Sequence, residues 1–108
     1  MYILVVYVPA DYLDQVKRAV FAAGAGMLGD YGECSWETEG VGQFRSLEGS
    51  SPFIGSQGEL SKVPEIRLEI TVREGYERAV LQSMRKAHPY EEPAYHLYKG
   101  LTINDLQM

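Results

Sequence analysis

Val8, Tyr12, Val16 and Ala23 recur without gaps, 64 positions later, as Val72, Tyr76, Val80 and Ala87, and Gly24 aligns with His88. Whatever the first part of the chain folds into, the last part therefore resembles. Tyr2 to Val8 is an unbroken β-branched and aromatic run, the mark of a strand apolar on both faces. Pro9 stops it. Asp11 and Asp14 then place negative charge in a first helical turn, where the helix dipole favours it. Tyr12, Leu13, Val16, Ala19, Val20 and Ala23 follow at helical spacing, and Gly24 is a C-terminal stop. In the second copy, Ile66, Leu68, Ile70 and Val72 alternate with Glu65, Arg67, Glu69 and Thr71, which predicts a half-buried strand. A helix follows with Tyr76, Val80, Met84 and Ala87 along one stripe, and Ala94 to Tyr98 predicts a last strand.

Two strand–helix–strand units in one chain predict an α+β fold of the split βαβ, ferredoxin-like kind. The expected sheet is mostly antiparallel, with both helices on one face. Tyr31 to Thr38 is expected as the second strand, with Cys34 and Trp36 on one side. Glu39-Gly40 reads as a turn, and Val41 to Leu47 as the returning arm of an extra hairpin. Glu48 to Lys62 then reads as a long polar loop, anchored by Pro52-Phe53-Ile54. Loops of that length in compact domains are usually functional or disordered.

Helices on one sheet face leave the other open. The first strand presents Ile3, Val5 and Tyr7 to one side and Leu4, Val6 and Val8 to the other, and two helices cover only one set. An apolar stripe left in water is unusual for a monomer. With about 1.5–3 kcal/mol for each large apolar side chain buried, a homo-oligomer closed over that face is expected. Leu101, Ile103 and Leu106 in the tail are further candidates for docking on a neighbour.

At 108 residues the chain is expected to form a single domain, 1–108. A net charge of −5 with ten scattered basic residues argues against nucleic-acid and anionic-membrane partners. The run from Tyr2 to Pro9 is too short to span a bilayer and lacks the basic leader of a signal peptide. Cys34 is the single cysteine, so neither an internal disulfide nor a Cys-rich zinc site is available. A buried, inert thiol is expected there, with Trp36 serving packing. The expected location is the cytoplasm.

Two segments carry candidate chemistry. His88-Pro89-Tyr90-Glu91-Glu92-Pro93 joins the second helix to the last strand, and each proline pushes the residue before it toward extended geometry. The segment reads first as a rigid joint, with His88 capping the helix. Its second reading is a divalent-metal site of His88, Glu91 and Glu92, joined by His96, since histidine and carboxylates suit such ions. Two adjacent acids diverge on an extended backbone, so that site needs an oligomer bringing several corners together. The other candidate is the Gly42–Lys62 segment, where Arg45, Ser50, Ser51, Gly55 and Lys62 are candidate ligand-binding residues. Backbone N–H groups there could cradle an anion, or Phe53 and Ile54 could anchor between subunits. No Walker, Rossmann or Ser/His/Asp pattern is present, and no catalytic residue is assigned.

Several blocks in order resemble a known family. Gly29-Asp30-Tyr31-Gly32-Glu33-Cys34-Ser35-Trp36, Gly40-Val41-Gly42-Gln43-Phe44-Arg45, Glu48-Gly49-Ser50-Ser51-Pro52-Phe53-Ile54-Gly55 and His88-Pro89-Tyr90-Glu91-Glu92-Pro93-Ala94-Tyr95 look like the domain inserted into Nif-three-like (YqfO-type) proteins. That insert is in turn similar to the CutA and PII families, and CutA proteins carry a similar corner before their last strand. The resemblance covers nearly the whole chain, which is expected to be a stand-alone module from its own Met1, and departs at Ser46, where the family often has proline. It implies the PII/CutA-type ferredoxin-like sandwich and assembly as a trimer, with a dimer as the alternative. It also implies a non-enzymatic module binding a small ligand, a metal ion or a partner protein at subunit clefts. The two-metal centre of the Nif-three-like proteins lies on flanking domains, so hydrolase activity is not carried over. An accessory role beside such a hydrolase, and a CutA-like divalent-metal protein, are the alternatives.

Overall fold

The strand that is apolar on both faces takes an inner place in the sheet. In the computed structural model, which describes residues 1–106, β1 (Tyr2–Pro9) lies between β3 (Leu60–Val72) and β4 (Tyr95–Lys99), with β2 (Trp36–Arg45) outside β3. The expected domain end at Met108 lies outside the described residues. All three pairings are antiparallel. Helices α1 (Leu13–Ala22) and α2 (Glu77–Ala87) follow β1 and β3, and a 3-10 turn over Ala10–Tyr12 leads into α1. This is the expected ferredoxin-like α+β arrangement. Among the described residues, no helix is long and apolar enough to cross a membrane.

Register explains the core. Leu4, Val6 and Val8 pair with Ile70, Leu68 and Ile66, so the two strands turn one continuous apolar set toward the helices. Val16 and Val20 of α1 and Val80 and Met84 of α2 complete the same cluster, all of them fully buried. At about 1.5–3 kcal/mol per large side chain, this layer is the main source of stability. The two repeats touch where Gly24 ends α1. Its φ of +112° suits glycine, and the ring of Tyr76 lies where a Cβ would stand.

The opposite face is open. Val5 pairs with Glu69 and His96, Ile3 with Thr71 and Tyr98, and Trp36 with Glu69, which puts these residues on one side. Val5 is only 4% exposed, shielded within the single chain, and Tyr7 is half-buried. The apolar groups left in solvent are Ile3 at 36%, Trp36 at 59% and Tyr98 at 55%. The exposed stripe thus runs through Trp36, Ile3 and Tyr98 rather than through all three expected β1 residues.

The middle of the chain differs from expectation. Glu39-Gly40 is not a turn: Trp36–Arg45 is one continuous strand paired with Leu60–Glu69 throughout. The hairpin therefore forms between β2 and β3, and its loop is 46–59. Lys62, expected in that loop, sits in β3 opposite Gln43. Turn propensity at Glu39-Gly40 is overridden by the ladder, in which Gly40 faces Glu65 and Gly42 faces Val63. Residues 31–35 do not extend β2. Leu28 and Tyr31 bond each other around Gly29-Asp30 instead, and Cys34 Nα donates to the Gly26 carbonyl at 2.9 Å. Cys34 is half-buried rather than buried, and Trp36, expected to pack, is exposed. In the tail, Leu101, Ile103 and Leu106 are exposed around a 3-10 turn at Ile103–Asp105.

Candidate functional site

The corner after α2 is held by one imidazole. Pro89 drives His88 out of the helix to φ −74°, ψ 135°, while its backbone N–H still donates to the Met84 carbonyl at 2.9 Å. The side chain is 6% exposed, and both ring nitrogens have partners. Nε2 lies 2.7 Å from the Tyr7 carbonyl and donates to it, and Nδ1 accepts the backbone N–H of Tyr90 at 3.1 Å. One residue thus ties together the end of α2, the end of β1 and the turn of the corner. Burial pushes its pKa below the usual histidine value, against smaller upward pulls from the Tyr7 carbonyl and Glu65. The neutral tautomer is also the one this geometry uses, since the bond from Tyr90 needs an Nδ1 lone pair.

Tyr90 carries the corner over to the hairpin. Its hydroxyl donates to Glu65 Oε2 at 2.8 Å, and burial, then that carboxylate, raises its pKa, so it stays a donor. Phe44 on β2 packs edge-on to the Tyr90 ring at 5.8 Å, and Phe53 lies at 6.5 Å from Tyr90 and 5.4 Å from Tyr12. The Ser51 backbone N–H donates to Glu91 Oε1 at 3.1 Å, stitching loop to corner directly. At its base the loop is closed by Gly58 Nα donating to the Ser46 carbonyl at 2.6 Å, and Arg45 Nη1 donates to the Gly58 carbonyl at 2.7 Å.

Between hairpin, loop and corner lies a cleft of about 450 Å³. Of the sequence candidates, Arg45, Ser50, Glu91 and Glu92 line it, and Ser51 borders it through its bond to Glu91. Residues 91–92 form a bend, from which Glu91 accepts the Ser51 N–H while Glu92 lies within electrostatic reach of Arg85 on α2. Gly55, at φ +80°, is in the loop but off the lining, and Lys62 is away on β3. His96 is exposed on β4 beside Tyr98, opposite Val5. Within one chain, no three His, Cys, Asp or Glu side chains among the described residues stand where they could hold a metal ion. Within one chain His88, Glu91, Glu92 and His96 are not brought together, and both His88 ring nitrogens are engaged.

No family model matches the chain. It is 50% identical over 95 residues to the GTP cyclohydrolase 1 type 2 homolog of Bacillus subtilis, a match spanning 88% of this chain and 26% of that protein. A Bacillus cereus protein related to NIF3 superimposes at a TM-score of 0.77 and 38% identity, over 90% of this chain and 24% of that one. The PII-like protein CutA from Nostoc superimposes over all of this chain and 86% of its own, at a TM-score of 0.66; with 16% identity, that likeness concerns the fold alone. The chain is a NIF3-like, PII/CutA-like domain. It spans about a quarter of the length of the curated relatives it matches.

Three cleft residues of this PII/CutA-like domain escape a reading from sequence. Glu65 belongs to the polar side of β3, so alternation assigns it to solvent, and its bond to Tyr90 is purely tertiary. Phe44 and Tyr90 read only as generic packing. A signal was present in Gly42, since a glycine inside a strand often marks a close approach; Gly40, two residues earlier, has open space beside it. At Gly42 the Glu65 carboxylate occupies the space a Cβ would need.

Proposed function

We propose that the chain is one PII/CutA-like domain, 1–108, acting in the cytoplasm as a non-enzymatic, homo-oligomeric binding module. Its ligand site is the cleft between the 46–59 loop and the His88–Pro93 corner. The observation that carries this reading is the stitching of two segments some forty residues apart, Ser51 to Glu91 and Phe53 to Tyr90, around one cavity. The loop's partners here are few and exposed, so occupancy can bias its order, and the loop can pass that bias to a partner. Assembly is supported by the stripe of Trp36, Ile3 and Tyr98 and by β2, an edge strand exposed along most of its length. A trimer is the assembly that the family resemblance implies. The GTP cyclohydrolase wording belongs to relatives four times as long and is not proposed for this domain.

The test is protease protection of the 46–59 loop, measured against a panel of nucleotides, amines and divalent metals. Protection by at least one ligand, lost on Phe53→Ala, is expected. Cleavage unchanged across the panel removes the ligand-site reading.

A further inference from the structure

The cleft has a definite chemistry. Its body is apolar and aromatic, built from Phe44, Phe53 and Tyr90 with Leu47, Ile54 and Ala94. Its charged lining residues are Glu65, Glu91 and Glu92 against a single cation, Arg45. That guanidinium is already turned to the Gly58 carbonyl at 2.7 Å. Lys62, the other basic residue expected at this site, stands on β3 opposite Gln43, off the lining. An anion entering here would meet the carboxylates of Glu65 and Glu91 and one committed guanidinium, with the Glu92 charge shared with Arg85 on α2. The sign is therefore opposite to the anion cradle that the loop's glycines and serines bring to mind.

We propose that this cleft takes a small organic cation, an ammonium or guanidinium head on a short apolar or aromatic body. The inference rests on the reading of the cleft as a ligand site and narrows it. Ring faces attract cations through their quadrupole, Tyr and Phe included. Carboxylates beside them add Coulombic attraction, strengthened where water is partly excluded. A cavity of about 450 Å³ suits a small molecule. The carboxylates are held by bonds that leave acceptor capacity over: Glu65 receives Tyr90 through Oε2, and Glu91 receives Ser51 through Oε1. Each retains a second oxygen for the ligand's N–H groups.

The experiment is backbone-amide NMR titration of the full chain with benzyltrimethylammonium and agmatine, with ATP as the anionic counterpart and a short Lys/Arg peptide as the macromolecular one. The free cations are expected to shift resonances of Ser50–Ile54 and Tyr90–Glu92. The double substitution Glu91→Gln/Glu92→Gln should weaken them roughly tenfold, and Glu74→Gln, in the turn after β3, should not. Glutamine keeps an oxygen for the Ser51 N–H, so the fold has no reason to fail, and unchanged spectral dispersion verifies that. If ATP shifts these resonances and the cations do not, the cation inference falls while the ligand site stands. If the peptide alone binds, the occupant is a protein partner and the small-molecule inference falls. If nothing in the set acts on the cleft, both readings fall together.

Discussion

Replacing His88 by alanine separates a joint from a site. The wild-type ring donates to the Tyr7 carbonyl and accepts the Tyr90 N–H while 6% exposed. The substitution removes two hydrogen bonds worth about 1 kcal/mol net each, and leaving buried partners unsatisfied costs about 1–3 kcal/mol more. A loss near 3 kcal/mol is expected, which for a domain of this size lowers Tm by roughly 12–20 °C. His96→Ala, at an exposed position on β4, should stay within about 0.5 kcal/mol. The pH dependence is the sharper readout. Because the folded state holds His88 neutral below its ordinary pKa of 6.5, the unfolded chain binds the extra proton first as pH falls. The ring's contribution is thus complete above about pH 6.5 and is lost progressively below it, down to the folded pKa. One such group gives at most about 1.4 kcal/mol per pH unit. Urea unfolding across this range should show wild-type stability falling with acid and a shallower slope for His88→Ala. A variant as stable as His96→Ala, with an unchanged slope, would refute the joint and return His88 to the pool of metal ligands.

Three further outcomes are expected. Gly42→Ala should push the Glu65 carboxylate off the Tyr90 hydroxyl, and Tyr90→Phe should remove the same bond from the other side. Each costs about 1 kcal/mol, and a double mutant no worse than either single one in thermal melts would show that they act on one contact. Ile3→Asp combined with Trp36→Glu should leave far-ultraviolet circular dichroism intact and lower the mass seen by light scattering; an unaltered mass would move the interface away from the open face. Phe53→Ala, which strips the ring between Tyr12 and Tyr90, should speed proteolysis within 46–59 severalfold while shifting Tm little. A large Tm loss would mean that the loop is part of the core.

The parts of the fold readable in the residues are those with one wet and one dry side. β3 alternates because its even positions meet the helices, and α1 and α2 carry their stripes for the same reason. β2 has no such asymmetry. Its residues are exposed on nearly every position, so periodicity has nothing to record, and local turn propensity at Glu39-Gly40 filled the gap wrongly. The strand is held by its ladder to β3, which no window of β2 contains. The candidate site divides along the same line. Proline chemistry exposed the corner, and glycine and serine content exposed the loop. That Glu65 faces Tyr90, that Lys62 leaves and that Glu91 bonds the loop at Ser51 depend on register and bend, properties of the assembled chain.

The pairing of β1 with β4 has a topological corollary. Tyr2 stands opposite Lys99, and Gly100 Nα donates to the Met1 carbonyl at 2.9 Å. The chain enters and leaves this fold at neighbouring points, separated by roughly the 5 Å spacing of adjacent strands. A domain with such a doorway can be spliced into a surface turn of a host without prising the host apart. In the much longer relatives the matching segment is about a quarter of the chain, a proportion that such a doorway accommodates.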